Sequence, residues 1–320
     1  MWLVTTVALI TMLWLDIRDT GGYSLGRNFL HGGYVAALIW YLGRSGPSIS
    51  QLPELRPFLF PRWRFGKWVP VLGMLLLLVL IIISDGDLGL LMLLMIIPTP
   101  WILLVWRREI QLRSVVQGLA LALIAYFAGL PMLNNGKVSE TVFYLLLILV
   151  PPMYIAGGLL VNRTRLGGVQ LLAKRYRRAL QSLFWGCLLF VPLGLFNAAS
   201  GSQGSNITWV DEWWMPFSIP WFSAITEETW FRLLLVSLCY FLLRPAFPKR
   251  PALPVLAAVL FSGITFGLGH GGTFLDRFLF TGLLYGLPMA VIFSRRDWEH
   301  AVGAHYMINM IPWVMVFLET

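Results

Sequence analysis

The chain has 320 residues, 58% of them hydrophobic and only 12% charged, with a mean hydropathy of +0.74. A water-soluble globule could not hide so much apolar surface, and 21 Phe, 15 Trp and 10 Tyr equally exclude a disordered chain. The net charge of +9 does not point to nucleic acid, because the Lys and Arg gather between apolar runs with Arg232 alone inside one, the pattern of a protein facing lipid headgroups.

Crossing the hydrocarbon core takes about 20 mostly apolar residues. Two marginal stretches come first, 1–15 and 28–43. Residues 1–15 carry no Lys or Arg ahead of Arg18, so they lack the charged start of a cleavable signal peptide and read as a short retained span. Fuller stretches follow at 68–84, 88–106, 114–133, 141–161 and 179–199, then at 215–243, 251–270, 277–293 and 298–318. The 215–243 stretch is long enough to hold a re-entrant piece ahead of its helix. All of these runs are Leu-rich and apolar all round rather than alternating, which favours helices over barrel strands. The expected fold is an all-α polytopic membrane protein with about 11 transmembrane helices, within a range of roughly 9 to 11. Cys187 and Cys239 lie inside apolar runs without metal or disulfide spacing.

Positive residues collect on the cytoplasmic side of a membrane. Loops 44–67, 107–113, 162–178, 244–250 and 294–297 hold 19 Lys and Arg, whereas the loops between them hold two, Lys137 and Arg277. This alternation predicts a cytoplasmic N-terminus and a C-terminus outside. A division falls near loop 162–178, since almost no polar side chain interrupts a span before it and several do after it. Residues 1–178 are expected to be accessory transmembrane helices, and residues 179–320 a helical core that carries any chemistry.

Ionisable groups inside a span are expensive unless paired or facing a cavity. The run Thr226-Glu227-Glu228-Thr229-Trp230-Phe231-Arg232 puts Glu228 and Arg232 at i and i+4, on one helix face in the favourable acid-first order. Glu227, about a hundred degrees away around the helix, has no partner in its own helix and must be protonated, meet water or meet another helix. Two histidines are available to meet it. Gly263 and Gly267 form a small-residue face that His270 continues one turn later, and His305 with Asn309 makes a polar stripe on the last span. Together these groups make a usable hydrolytic site: Glu227 takes a proton from water, His270 orients or shares it, and His305 with Asn309 donates to an oxyanion. Thr226 and Thr229 lack the adjacent base that a nucleophile needs. Each part also has a structural reading: a Glu–Arg helix clamp, an interfacial histidine, an interhelical hydrogen bond. His31 and His300 sit at span edges without an assigned role, Asp85, Asp87, Asp211 and Glu212 read as solvated, Trp213, Trp214 and Trp221 as an interfacial belt, and Gly282 with Gly286 as packing.

Glu227-Glu228 followed by Arg232 matches an E-E-x-x-x-R motif, Phe266 to His270 matches F-x-x-x-H, and His305 to Asn309 matches H-x-x-x-N. In this order, on separate spans, they resemble the CPBP family of type II CaaX prenyl endopeptidases and their bacterial Abi-like relatives, over about residues 215–315. The resemblance implies a glutamate-dependent intramembrane protease working without a bound metal or other cofactor. It makes Glu227, His270, His305 and Asn309 catalytic and Glu228 and Arg232 supporting. A Glu, His, His set could bind zinc, but no H-E-x-x-H helix is present and Asn309 is a poor fourth ligand. The implied partners are the bilayer and a membrane-associated protein or peptide substrate, in a bacterial or archaeal cell membrane. Charge counting places Glu227 and His270 toward the outer face, which favours an extracytoplasmic or membrane-embedded peptide over a cytosolic prenylated tail. The same polar cluster could instead relay protons in a transporter, or lock helices in a non-catalytic scaffold, immunity or regulatory protein.

Overall fold

The computed structural model describes residues 25–45, 49, 52, 66–84, 87–200 and 210–319; the expected span at 1–15 and the acid Asp85 lie outside them. The described chain is 83% helix without strands. In order, the first helices are α1 (Leu25–Ser45), α2 (Val69–Ile83), α3 (Leu88–Ile96), α4 (Pro98–Val105), α5 (Leu112–Asn134), α6 (Glu140–Thr164) and α7 (Tyr176–Ala199). The 88–106 stretch, expected as one helix, is divided at Ile97 because Pro98 and Pro100 supply no N–H to the helical ladder. Asp87 caps α3 by accepting the Leu90 N–H at 2.8 Å.

The second half begins with α8 (Met215–Glu227), which runs without a break through a π-helical segment, Glu228–Val236, into α9 (Ser237–Leu243). Helix fills the room that the length of 215–243 left for a re-entrant piece. Then come α10 (Ala252–Leu268), a second π-helical segment (Asp276–Gly286) leading into α11 (Leu287–Arg295), and α12 (Trp298–Glu319). Six of these helices are long and apolar enough to cross a membrane, and Val69–Ile83, Gly89–Val105 and Ala252–Leu268 are apolar but shorter. The chain is therefore an integral, multi-pass membrane protein.

The Met215–Ala246 path is the axis of the bundle: its most apolar window is 94% buried, against 28% for Leu112–Asn134, which faces outward. One apolar core runs from Tyr34 of α1 to Ile308 of α12 and includes Tyr154, Leu233 and Phe293, so helices of both halves pack together. Two close approaches fix the second half. Helices α7 and α12 touch backbone to backbone, and a Cβ on Gly303 would lie 2.2 Å from the Leu183 carbonyl. Helix α10 meets the second π-helical segment where a Cβ on Gly267 would lie 2.2 Å from the Arg277 carbonyl and 2.5 Å from the Gly282 nitrogen. The small-residue face of α10 thus meets the Gly282 and Gly286 face.

Buried charges tie the ends together. Arg295 Nη2 donates to the Gly43 carbonyl at 2.7 Å, a cation closing the C-terminal end of α1. Arg277, expected as a loop charge, is buried in the second π-helical segment and donates to the Leu268 carbonyl at 3.3 Å. Asp297, in the turn before α12, accepts from Gln170 at 3.0 Å and Ser182 at 2.9 Å through one oxygen, and from the His300 backbone and Nδ1 at 3.0 and 2.7 Å through the other. Glu299 accepts the Leu171 N–H at 2.8 Å. The loop after α6 is therefore pinned to the start of α12, and His300 has a structural partner that its sequence position did not reveal. Asp211 and Glu212 are exposed, as expected.

Candidate active site

The site forms where α8 turns into the first π-helical segment. Regular α-helix gives i and i+4 neighbours; widening at Glu228 keeps Glu228 and Arg232 paired, with Arg232 Nε 3.3 Å from Glu228 Oε2 and both side chains fully buried. π-Helical widening is rare and, where it occurs inside an α-helix, is frequently found at functional sites. Arg232 also donates from Nη2 to the Gly286 carbonyl at 3.2 Å, and its guanidinium lies over the Phe266 ring at 4.2 Å, a contact that favours a cation. Three helical segments thus share one buried ion pair.

Glu228 has a second partner that sequence reasoning missed: His305 Nδ1 donates to its Oε1 at 2.7 Å. The carboxylate, as an acceptor, places the proton on Nδ1 and leaves Nε2 of the neutral ring as a bare lone pair. That Nε2 lies 3.9 Å from Glu227 Oε2. His270 is set in the same way. It stands just past the end of α10, its Nδ1 is 2.7 Å from the Phe266 carbonyl, and a carbonyl only accepts, so Nδ1 again carries the proton. Its Nε2 lies 3.7 Å from Glu227 Oε2.

Glu227 therefore faces two imidazoles, one on α12 and one just past the end of α10, the third of the three outcomes open to it. Both distances exceed a direct hydrogen bond and leave Oε2 buried without a hydrogen-bond partner, a spacing that suits a shared water. Phe266 is the wall behind them, with ring centroids 4.5 Å from His270 and 5.8 Å from His305. Access differs along the cluster: the side chain of Glu227 is 24% exposed and that of His270 38%, whereas His305 is 3% exposed. Glu227 and His270 open into a cavity of about 320 Å³, walled by Trp230 and Phe231 on one side and by Met92 of α3 with Val142 and Leu146 of α6 on the other. The expected accessory half thus supplies one wall.

Asn309 is on the same face of α12 as His305, and its Nδ2 donates to Ser223 Oγ at 2.9 Å. Ser223 stands one turn before Glu227 on α8 and carried no signal in the sequence beyond that spacing. Thr226 donates to the Phe222 carbonyl at 2.7 Å, so its hydroxyl is spent on its own helix. Trp221, expected in an interfacial belt, lies against Tyr306 at 4.3 Å between ring centroids. Among the described residues no group of three or more His, Cys, Asp or Glu is arranged to hold a metal ion.

Residues 209–311 match the family model described as type II CAAX prenyl endopeptidase, Rce1-like. The matched segment begins just before α8, contains all three motifs and ends beyond Asn309, so the resemblance carried by those motifs holds over the second half. Residues 1–208 lie outside the match. No curated protein and no solved structure matches the chain.

Proposed function

We propose that this protein is an intramembrane endopeptidase that hydrolyses a peptide bond of a membrane-associated protein or peptide with water activated by Glu227. The observation that carries the reading is the position of the Glu227 carboxylate, 3.7 and 3.9 Å from two Nε2 atoms that are both lone-pair donors in the neutral rings, at the edge of a cavity large enough for a substrate segment. A water held there gives one proton to Glu227 or His270 while its oxygen attacks the carbonyl carbon. The proton then passes to the leaving amine, so the acid and base end as they began. His305 and Asn309 take the oxyanion side. His305 donates from Nε2 when that nitrogen carries the site's proton. Arg232 balances Glu228, leaving Glu227 as the reactive carboxylate.

We further infer that the shorter apolar helices and α1 also lie in the bilayer, giving a bundle in which α1 ends on the cytoplasmic side and the C-terminus is external. The cavity beside the Gly269-His270-Gly271 turn then opens toward the outer side, which suits an extracytoplasmic or membrane-embedded peptide. Residues 179–320 carry the chemistry, and the preceding half contributes Met92, Val142 and Leu146 to the cavity wall.

The test is hydrolysis of internally quenched peptides, with and without a farnesylated cysteine, by protein reconstituted in liposomes. Wild type is expected to cleave, and Glu227→Ala and His270→Ala to lose about a hundred- to ten-thousandfold while unfolding at wild-type temperature. Cleavage unchanged in Glu227→Ala removes the reading. A proton-dependent uptake lost in the same variant, without cleavage in the wild type, supports the transporter instead.

A further inference from the structure

We propose that Ser223 is a positioning residue of this site: its hydroxyl holds the Asn309 carboxamide in the orientation that presents an N–H to the reacting carbonyl. The inference rests on the proteolytic reading and adds a residue that the three motifs do not contain.

The argument begins with the two helices. On α8, Ser223 and Glu227 are i and i+4; on α12, His305 and Asn309 are i and i+4. The helices pack antiparallel, so the two stripes meet as two rungs: Asn309 Nδ2 on Ser223 Oγ at 2.9 Å, and His305 between Glu228 at 2.7 Å and Glu227 at 3.9 Å. The first rung is thus one helical turn from the reactive carboxylate.

Proton bookkeeping fixes the first rung. Ser223 Oγ donates to the Pro220 carbonyl at 3.2 Å, the usual way a serine within a helix satisfies its hydroxyl. That carbonyl cannot donate, so the single hydroxyl proton is committed to it and only lone pairs remain for Asn309. The end of the carboxamide facing Ser223 must then be its NH₂. Because the amide is planar, anchoring one N–H sets the direction of the second, and the carbonyl end is turned away. Without the Ser223 lone pair, the side chain is free to rotate and to present its oxygen, which would repel a developing oxyanion.

The helix register does not depend on this contact. Trp221 lies against Tyr306 at 4.3 Å and Tyr306 donates to the Phe217 carbonyl at 3.1 Å on the N-terminal side of Ser223, and His305 bonds Glu228 at 2.7 Å on the other, holding the two helices together. Removing the hydroxyl should therefore loosen Asn309 and leave the bundle in place.

The experiment uses the full chain in liposomes with the quenched peptides above, comparing Ser223→Ala, Ser223→Thr, Asn309→Ala and the Ser223→Ala/Asn309→Ala double variant. Ser223→Ala is expected to lower kcat about tenfold, with KM within about twofold, the effect of a lost interaction felt in the transition state. Ser223→Thr, which keeps the hydroxyl, should restore most of kcat, and the double variant should be no slower than Asn309→Ala alone. Wild-type kcat in Ser223→Ala, or losses that multiply in the double variant, overturn this inference while the protease reading stands. A wild type as inactive as Glu227→Ala overturns both.

Discussion

Glu228 and Arg232 offer the sharpest stability test because both side chains are fully buried. Glu228→Ala takes away the guanidinium's ion-pair partner in the core and leaves it the Gly286 carbonyl at 3.2 Å and the face of Phe266 at 4.2 Å. Breaking one side of a buried pair typically destabilises by about 3–5 kcal/mol. At roughly 2–4 °C per kcal/mol, the unfolding midpoint should fall by about 6–20 °C. Replacing both partners, Glu228→Leu with Arg232→Leu, removes the stranded charge. What remains is His305 Nδ1, which loses its acceptor at 2.7 Å; an unsatisfied buried donor is worth about 1–3 kcal/mol. The double variant should therefore be more stable than Glu228→Ala even though it changes more atoms. Thermal unfolding followed by tryptophan fluorescence in one detergent reads both numbers. A Glu228→Ala midpoint within about 2 °C of wild type, or a double variant below the single one, refutes the reasoning.

Further outcomes follow from the packing around the site. Gly267→Ala should destabilise by about 1–3 kcal/mol and reduce cleavage, since its Cβ meets backbone atoms at 2.2 and 2.5 Å, whereas Gly271→Ala, with open space around it, should be neutral to stability; unfolding midpoints of the pair check this. Leu146→Trp puts a bulky ring in place of an isobutyl group in the cavity wall and should raise KM for the quenched peptides about tenfold or more with an unchanged midpoint, an unaltered KM counting against this cavity as the substrate site. Burial alone would raise the Asp297 pKa, but hydrogen bonds from His300 and Ser182 and the His300 charge outweigh it and hold the group below its ordinary 3.8. A depressed carboxylate contributes stability that is complete above its unfolded value and lost as pH falls through the folded one. Midpoints measured below about pH 4 should therefore fall with acid in wild type and less steeply in Asp297→Asn.

The local parts of this arrangement were legible in the sequence, and the parts that depend on helix register were not. The Glu228–Arg232 pair followed from i and i+4 spacing, the close approach of α10 from Gly263 and Gly267, and the need for Glu227 to find a partner elsewhere from the cost of a lone charge in a span. His305 belonged with Asn309 by periodicity, yet its bond to Glu228 and the Asn309 bond to Ser223 depend on how α12 slides along α8, which no single helix encodes. The wall from Met92, Val142 and Leu146 was equally hidden. Those residues are ordinary apolar positions in spans that carried no chemical signal, and only tertiary packing brings them to Glu227. The division at loop 162–178 reflected where polar residues occur, but Asp297 and Glu299 grip that loop through Gln170 and Leu171.

Two adjacent glutamates have opposite surroundings, and charge counting explains why both are needed. Glu228 is balanced by Arg232, so the set of Glu227, Glu228 and Arg232 carries one negative charge beyond neutrality and one added proton makes it neutral. Glu228 holds His305 by Nδ1 and the Phe266 carbonyl holds His270 by Nδ1, so every site that the added proton can occupy, Glu227 or either Nε2, points at the same space. A proton confined there is next to the water it must leave and the amine it must reach. Glu227→Gln supplies a permanently neutral group of the same shape at that position. It should unfold at or slightly above the wild-type temperature, because no charge is then left unbalanced, and yet hydrolyse no peptide, because the amide neither accepts a proton from water nor returns one. Residual hydrolysis within about tenfold of wild type in that variant would place the proton transfer on the histidines alone and remove Glu227 from the reaction.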